Sequence, residues 1–370
     1  MLNRLIFLWL ICSVLALAPA GCTRAPDLVG VDNPAIPVAS IAGLTRHRIF
    51  IMTTREASEV TRTFFSAGRA PEVGLASVDV TIPPNRLVGE LTRPARLPPD
   101  PRVEFAVVDP LVYPQDASFI AEIDRALASR PPGERNVLLF VHGYNNSTSD
   151  AILRLGQFVE DSGYQGVPVL LTWASAARPS RYVFDLNSAL VARVQLKTMA
   201  GILSRTRAES VDIFAHSMGA FLTMEGLVDA QMSGRLGEGM QINHIMLASP
   251  DIDMDLFRTQ IALLPSPVLE RIYVLISRDD QTLRLSGALA GGVPRVGAAD
   301  AGELEALGLT VIDLSEIADS SSGSHSKFAG SPEVVQLIGK GLNSTGGFDA
   351  ASTPGLDQLL YNVPIRIFSN

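Results

Sequence analysis

The hydrophobic pattern changes near residue 136, and from there it predicts alternating strands and helices. Between strands, apolar residues recur at helical spacing, as in Ile152, Leu155, Phe158 and Val159, and residues 186–203 follow the same period. Strands that are apolar throughout and separated by helices predict a parallel sheet covered on both faces. The short apolar runs that predict these strands are 137–141, 167–172, 211–214, 242–247, 272–276 and 309–314.

The first part of the chain has a different pattern. Residues 47–52 and 77–82 predict strands, the second with clean alternation, and Thr53–Arg55 after the first strand predicts a turn. Closely spaced prolines between residues 83 and 101 predict loops before another strand at 103–108. We therefore expect an α/β fold with antiparallel strands ahead of the mostly parallel sheet.

The extreme N-terminus has the pattern of an export signal, predicted over residues 1–22. Arg4 precedes an almost wholly apolar run at 5–20 and a stretch of small residues, Ala18-Pro-Ala-Gly-Cys22. Gly21-Cys22 resembles a bacterial lipobox, although Pro19 stands where that motif usually has Leu. Cleavage after Ala18 is the competing interpretation. The sequence predicts export to the bacterial envelope, either as a lipoprotein anchored in the membrane through Cys22 or as a periplasmic protein.

Three regions follow the signal. Residues 23–44, with Pro34 and Pro37 among small residues, predict a flexible tether. Residues 45–342 are expected to form the α/β domain. Residues 343–370 are expected to be a C-terminal tail that is loop-like as far as Leu359, with a late strand at 363–368.

Composition excludes several classes of protein. The two cysteines, Cys12 and Cys22, lie within the predicted signal and at its end, so the mature chain is expected to lack disulfides and cysteine metal sites. Net charge is −8, from 30 basic and 38 acidic residues with no basic block, which argues against a nucleic-acid partner. Since zinc-protease, phosphate-loop and dinucleotide motifs are absent from the sequence, we expect no metal and no cofactor.

The candidate chemistry centres on Ser217, in Ala215-His-Ser-Met-Gly219. A strand that turns directly into a helix across a serine with small residues two positions away, here Ala215 and Gly219, is typical of a nucleophile elbow. Ala215 replaces the usual first glycine. The alternative is a serine that only caps the following helix.

A serine nucleophile requires a base, and position narrows the choice among five histidines. His47 and His244 belong to predicted strands, and His216 adjoins the serine. His142 follows the first apolar strand in a His-Gly pair, where backbone amides form an oxyanion hole. His325 remains, in a late loop, and it is the predicted base. A surface histidine without function is the alternative.

The orienting acid is expected on a loop after a strand between Ser217 and His325. Asp279 and Asp280 follow the strand at 272–276, and Asp251 and Asp253 follow the strand at 242–247. Each carboxylate has helix capping as its alternative role.

Together, His142-Gly143, Ala215–Gly219, Asp280-Gln-Thr-Leu283 and His325 resemble the α/β-hydrolase superfamily. More narrowly, the chain is similar to a group of bacterial esterase-like hydrolases that share Trp-x-Ser after the second parallel strand, here Trp173-Ala-Ser175, with Tyr182 and Asp185 shortly after. The resemblance covers about residues 49–338. It implies Asp280 as the acid, because the superfamily pattern is Asp-x-x-Val/Leu, whereas Asp279 stands one residue early.

The fold also implies where the oxyanion donors lie. The amides of Met218, after the nucleophile, and of Tyr144, after the His-Gly pair, are expected to bind the oxyanion. Tyr144 and Tyr182 could line the substrate pocket or simply pack. Asp185, near the start of a helix, is interpreted as a cap.

The residues thus predict acyl transfer by a Ser-His-Asp triad, and the resemblance implies a carboxylic ester as substrate. We expect a soluble, short-chain ester that is cleaved through an acyl-enzyme. Two alternatives remain: an amide or peptide hydrolase with the same triad, and a catalytically silent envelope lipoprotein that binds or scaffolds.

Overall fold

The strands of the described residues form one sheet. The computed structural model describes residues 24–318, 323–344, 346–349 and 353–369. The predicted signal at 1–22, with Cys22, therefore lies outside the described residues. The strands are β1 Thr45–Ala57, β2 Phe65–Ile82, β3 Ala106–Val112, β4 Val137–Val141, β5 Val167–Thr172, β6 Val211–His216, β7 Ile242–Ala248, β8 Ile272–Ile276, β9 Thr310–Asp313 and β10 Arg366–Phe368.

The strand order is β10-β9-β8-β7-β6-β4-β5-β1-β2-β3. Every neighbouring pair from β9 to β1 is parallel. β2 and β3 at one edge and β10 at the other pair antiparallel. The predicted fold class, a mostly parallel sheet with antiparallel N-terminal strands, is confirmed.

Helices cover both faces of the sheet. The α-helices of the described residues are α1 Asp116–Ala128, α2 Thr148–Ser162, α3 Tyr182–Arg193, α4 Leu196–Leu203, α5 Met218–Met232, α6 Met254–Leu263, α7 Ser266–Leu269, α8 Gln281–Leu289, α9 Ala301–Glu305, α10 Lys327–Gly330, α11 Pro332–Leu342 and α12 Leu356–Asn362. Because side chains alternate across a strand, Val137 and Val141 of β4 join the core under α1 and α3–α6, whereas Leu138 and Phe140 join the core under α2 and α11. The central strands are therefore apolar throughout. In the described part of the chain, no helix is both long and apolar enough to span a bilayer.

Several local expectations differ from the structure. Thr53–Arg55 forms no turn: the residues continue β1, where Thr53 pairs with Thr172 of β5 and its hydroxyl donates to the Thr172 carbonyl at 2.9 Å. The helix predicted at 186–203 is divided into α3 and α4. Between them the amide of Gln195 donates to the carbonyl of Ala192, three residues earlier, at 2.9 Å, which is the bond of a tighter 3-10 turn.

The two ends of the described chain also pack on the domain. Within the predicted tether 23–44, Leu28 and Val29 are fully buried, and the amide of Gly30 donates to the carbonyl of Val107 at 2.8 Å. Within the predicted tail 343–370, a helix, α12, comes before β10, and β10 lies inside the predicted late strand at 363–368. In both segments, isolated apolar residues among prolines and polar residues contact the core, and such contacts leave no periodic signal.

Candidate active site

Ser217 lies at a sharp turn at the carboxyl edge of the parallel sheet. β6 ends at His216 and α5 begins at Met218, so Ser217 alone joins strand to helix, with φ 55° and ψ −123°. A positive φ is strained for a residue with a Cβ, and the surrounding contacts must hold it. Its amide donates to the carbonyl of Ala248 at 2.9 Å, and its carbonyl accepts from the amide of Asp251 at 3.2 Å.

Two glycines allow the close approach that this turn requires. A Cβ on Gly219 would lie 2.4 Å from the carbonyl oxygen of His142 and 2.5 Å from that of Val141. A Cβ on Gly143 would lie 2.8 Å from the Cβ of Ser217. Ala215, fully buried in β6, takes the place of the first glycine of the motif. The loop after β4 therefore lies directly against the nucleophile turn.

The predicted serine, histidine and aspartate are joined by hydrogen bonds. The Nε2 of His325 lies 3.0 Å from the Oγ of Ser217, and its Nδ1 lies 2.7 Å from the Oδ2 of Asp280. Ser217 and Asp280 are buried, and the side chain of His325 is 13% exposed. A hydroxyl, an imidazole and a carboxylate in this order can transfer the hydroxyl proton to the imidazole.

Asp280 also caps helix α8. Its Oδ1 accepts from the amide of Leu283 at 2.9 Å, while its Oδ2 faces His325. One oxygen of this carboxylate therefore caps the helix, and the other contacts the imidazole. The cap fixes the rotamer, so the second oxygen is held toward the imidazole.

Asp279 points away from the imidazole and holds the loop that carries His325. It accepts from the Nζ of Lys327 at 2.8 Å, from the hydroxyl of Ser324 at 2.6 Å and from that of Ser277 at 2.6 Å. Desolvation acts to raise the pKa of Asp279, but these hydrogen bonds and the lysine charge lower it to about 2. Lys327 is buried, and its Nζ also donates to the carbonyl of Leu314 at 2.9 Å.

The other two candidate acids have different partners. Asp253 caps α6 by accepting from the amides of Asp255 and Leu256. Asp251 is buried and accepts from the hydroxyl of Tyr182 at 2.9 Å and from that of Ser286 at 2.7 Å. Burial, and then the charge of Asp251, raise the pKa of Tyr182. Neither carboxylate forms a hydrogen bond to a histidine among the described residues.

His216, which adjoins the nucleophile, supports the backbone of the predicted base. Its Nε2 lies 3.0 Å from the carbonyl oxygen of His325, and the two rings are 4.7 Å apart. Burial, and then the charge of His325, lower the pKa of His216 well below its ordinary value. The neutral ring can thus donate from Nε2 to that carbonyl.

His142, directly after β4, supports the backbone around it and does not act as a base on Ser217. Its Nε2 accepts from the amide of Trp173 at 3.2 Å, and its Nδ1 lies 2.8 Å from the carbonyl oxygen of Gly143. Burial, and then the charge of Arg55, lower the pKa of His142 to about 3. The other two histidines lie within β1 and β7, as their patterns predicted.

The amides of Tyr144 and Met218 face no acceptor among the described residues. Gly143, beside Tyr144, lies against Ser217, and Met218 is the first residue of α5. Free amides at a helix N-terminus and at an adjoining loop stabilise negative charge.

Two buried charged residues near this loop, Arg55 and Asp185, were not predicted as functional. Arg55 was placed in a turn and Asp185 was interpreted as a cap. Asp185 instead accepts from the amides of Asn145 and Ala176, and Arg55 donates to the carbonyl of Asn146. The sequence feature that could have identified Asp185 is the resemblance to the esterase-like hydrolases, because that resemblance includes this residue.

A cavity of about 450 Å³ lies away from this site, between the sheet and helices α4 and α5. Its walls are mostly apolar, with Val141, Leu171 and Leu222 among them. Since its lining includes neither Ser217 nor His325, it is separate from the hydrogen-bonded triad. Across the described ranges, no group of three or more His, Cys, Asp or Glu could hold a metal ion.

A family model matches more than half of the chain. The model of a family described as alpha/beta hydrolase of unknown function (DUF900) matches residues 115–341. No curated protein matches significantly.

Several solved structures are similar to this chain at low identity. A protein described as a cell surface hydrolase from Lactobacillus plantarum WCFS1 is 12% identical, over 62% of this chain and 96% of that chain, with a TM-score of 0.39. An inhibited esterase B from Lactobacillus rhamnosis is 11% identical, over 78% and 79%, with a TM-score of 0.30. A fungal esterase from Rhizomucor miehei is 12% identical, over 90% and 83%, with a TM-score of 0.30.

Proposed function

The chain belongs to the α/β-hydrolase family of unknown function DUF900, and on this premise we propose that it is a serine hydrolase that cleaves a carboxylic ester. The observation that carries the proposal is the continuous chain of hydrogen bonds from Ser217 through His325 to Asp280, which begins at a strained strand-to-helix turn. Such a chain has a direct chemical use in acyl transfer.

In the proposed reaction, His325 Nε2 takes the proton of Ser217 as Oγ attacks the ester carbonyl. The amides of Tyr144 and Met218 stabilise the oxyanion of the tetrahedral intermediate. The imidazolium then gives its proton to the leaving alcohol, and the acyl group remains on Ser217. Water, activated by the same imidazole, releases the acid and restores the serine.

Asp280 orients the imidazole and stabilises its charged form in this proposal. The short contact to Nδ1, at 2.7 Å, keeps the proton on that nitrogen, so Nε2 is free to accept. The second oxygen, held by the amide of Leu283, fixes the carboxylate in place.

We also propose that the protein acts in the bacterial envelope, bound to the membrane through a lipid on Cys22. The support is the sequence pattern of residues 1–22 alone. Mass spectrometry of the mature N-terminus tests it: a diacylglyceryl modification of Cys22 supports anchoring, and an unmodified N-terminus at Pro19 contradicts it.

The experiment for the activity measures turnover of p-nitrophenyl acetate and butyrate, beside the matching p-nitroanilides, by the purified protein. We expect ester turnover that Ser217→Ala reduces by about 10⁴-fold or more. Ser233→Ala, at the other end of α5, is the matched control and should keep wild-type rates, because its hydroxyl bonds only within the helix end. Faster turnover of the anilides would favour an amide hydrolase, and a folded, inert wild type would favour a binding role.

A further inference from the structure

Asp185 is a fully buried carboxylate whose hydrogen bonds go to loops rather than to its own helix. It accepts from the amide of Asn145 at 3.1 Å, from the hydroxyl of Ser175 at 2.6 Å and from the amide of Ala176 at 2.7 Å. No ion pair to Asp185 occurs within the described residues. Three neutral donors hold this buried carboxylate without a cation in ion-pair contact, so its charge is costly to bury.

Arg55 is also a buried charged residue, and in the described part of the chain no carboxylate lies in ion-pair contact with it, although the charge of Asp185 acts to raise its pKa. It is 3% exposed. Its guanidinium donates to the carbonyl of Asn146 at 2.8 Å, to the carbonyl of Ser175 at 3.0 Å and to the hydroxyl of Thr172 at 2.9 Å. Burial lowers the pKa of Arg55 to about 10, so it remains charged at neutral pH.

The two charges act on the same short loop, residues 143–146, which we call the oxyanion loop. Asp185 accepts a hydrogen bond from the amide of Asn145, and Arg55 donates one to the carbonyl of Asn146. Ser175 completes the link, because its hydroxyl donates to Asp185 and accepts from the amide of Asn146 at 3.1 Å. Hydrogen bonds to ionised groups are roughly twice as strong as neutral ones. The loop is thus held from both sides by charge-assisted bonds.

The loop itself needs this support. Asn145 has φ 59°, in the left-handed region that non-glycine residues occupy at a cost. The side-chain amide of Asn146 donates to the carbonyls of Gly143, at 3.2 Å, and Tyr144, at 2.8 Å, which turns both carbonyls toward it. The amide of Tyr144 is left without an acceptor among the described residues, beside the glycine that touches Ser217.

We propose that Arg55 and Asp185 are positioning residues that fix the oxyanion loop so that the Tyr144 amide points at the oxyanion. This inference rests on the proposed hydrolase function and adds to it two residues that touch neither substrate nor triad. Because an oxyanion exists only in the transition state and intermediate, misplacing one donor lowers kcat and leaves KM nearly unchanged.

The test compares Asp185→Asn with wild type. An asparagine of the same shape keeps the bonds from Asn145 and Ser175 through its carbonyl oxygen and turns its NH₂ toward the amide of Ala176. It also removes the negative charge that strengthens the hold on the oxyanion loop, without a change in side-chain volume. We expect kcat for p-nitrophenyl butyrate to fall about 10²-fold with KM within about threefold, as for loss of one oxyanion donor. The affinity for an alkyl trifluoromethyl ketone, which adds to the serine and forms an oxyanion, should fall by a similar factor.

The matched control is Asp212→Asn. Asp212 is also fully buried, accepts from the hydroxyl of Tyr164 at 2.8 Å and contacts His244, but it lies near the start of β6, at the opposite end from Ser217. This variant should lose stability and keep kcat and ketone affinity per folded molecule. If Asp185→Asn does not fold, Ser175→Ala and Arg55→Lys carry the same test, with the same split between kcat and KM expected.

The inference fails if the folded fraction of these variants keeps wild-type kcat and ketone affinity, or if KM rises while kcat is unchanged. Failure of the proposed function looks different, because wild type itself would then show no turnover and no ketone binding that depends on Ser217.

Discussion

Asp280→Asn is the most informative single change, because the structure fixes how the new amide must sit. One oxygen of Asp280 caps α8 through the amide of Leu283 at 2.9 Å, and the other faces His325 at 2.7 Å. Asparagine keeps the cap with its carbonyl oxygen and therefore turns its NH₂ toward Nδ1 of His325. Two N–H groups cannot face each other, so the imidazole must take the other tautomer, with its proton on Nε2.

In that tautomer, Nε2 donates toward Ser217 and cannot accept its proton. The same tautomer error in a serine protease lowers kcat by about 10⁴-fold, which corresponds to about 5.5 kcal/mol of transition-state stabilisation. We expect a loss of this size for Asp280→Asn. Stability should change by less than about 1 kcal/mol, because the cap survives.

Asp279→Asn is the adjacent comparison. Asp279 holds Lys327 and Ser324 and makes no contact with the imidazole, so its change should lower kcat by about tenfold at most while lowering the Tm. The assay is p-nitrophenyl butyrate turnover, with circular dichroism to measure the folded fraction. Equal losses of kcat in the two variants, or a larger loss in Asp279→Asn, would refute the assignment of Asp280 as the orienting acid.

Three further predictions concern residues that support the candidate active site. Gly219→Ala should abolish turnover and lower the Tm, because the new Cβ would lie 2.4 Å from a carbonyl oxygen. The control Gly201→Ala lies in α4, where a Cβ would have nothing within 4 Å, and it should be neutral or slightly stabilising. Thermal melts and kinetics measure both. Lys327→Met combined with Asp279→Asn should melt higher than Asp279→Asn alone, because removing only the carboxylate leaves a buried ammonium; an equal or lower Tm would contradict this. The pKa of His142, lowered from 6.5 to about 3, means that the unfolded chain binds one more proton between these pH values. The resulting stability is present above pH 6.5 and is lost as pH falls toward 3, by up to about 1.4 kcal/mol per pH unit; His142→Gln should reduce this slope in urea titrations.

The central sheet was readable from sequence because its strands are apolar throughout and lie between helices of clear period. Strands such as β4 and β8 coincide with the apolar runs that predicted them. Ser217 and His325 could be predicted because the order of elements restricts which loops meet at the carboxyl edge of the sheet. That order left four aspartates open, and only the resemblance implied Asp280 among them.

The supporting residues could not be read in the same way. Thr53–Arg55 has the composition of a turn, yet it is a strand because Thr53 pairs with β5 and both Thr53 and Arg55 pair with β2. Asp185 stands in the first turn of α3, where a cap is the ordinary expectation, and its partners are 9 to 40 residues away in the sequence. Similarly, Asp279 and Asp280 are neighbours with different roles, which depend on the direction of each side chain.

The most direct test of the central claim is covalent labelling of the intact protein with a fluorophosphonate, read by mass spectrometry. We expect one adduct per molecule, on the peptide that contains Ser217, with no adduct in Ser217→Ala and strongly slowed labelling in His325→Ala. A folded wild type that stays unlabelled, or an adduct on a different serine, would contradict the claim that Ser217 is an activated nucleophile.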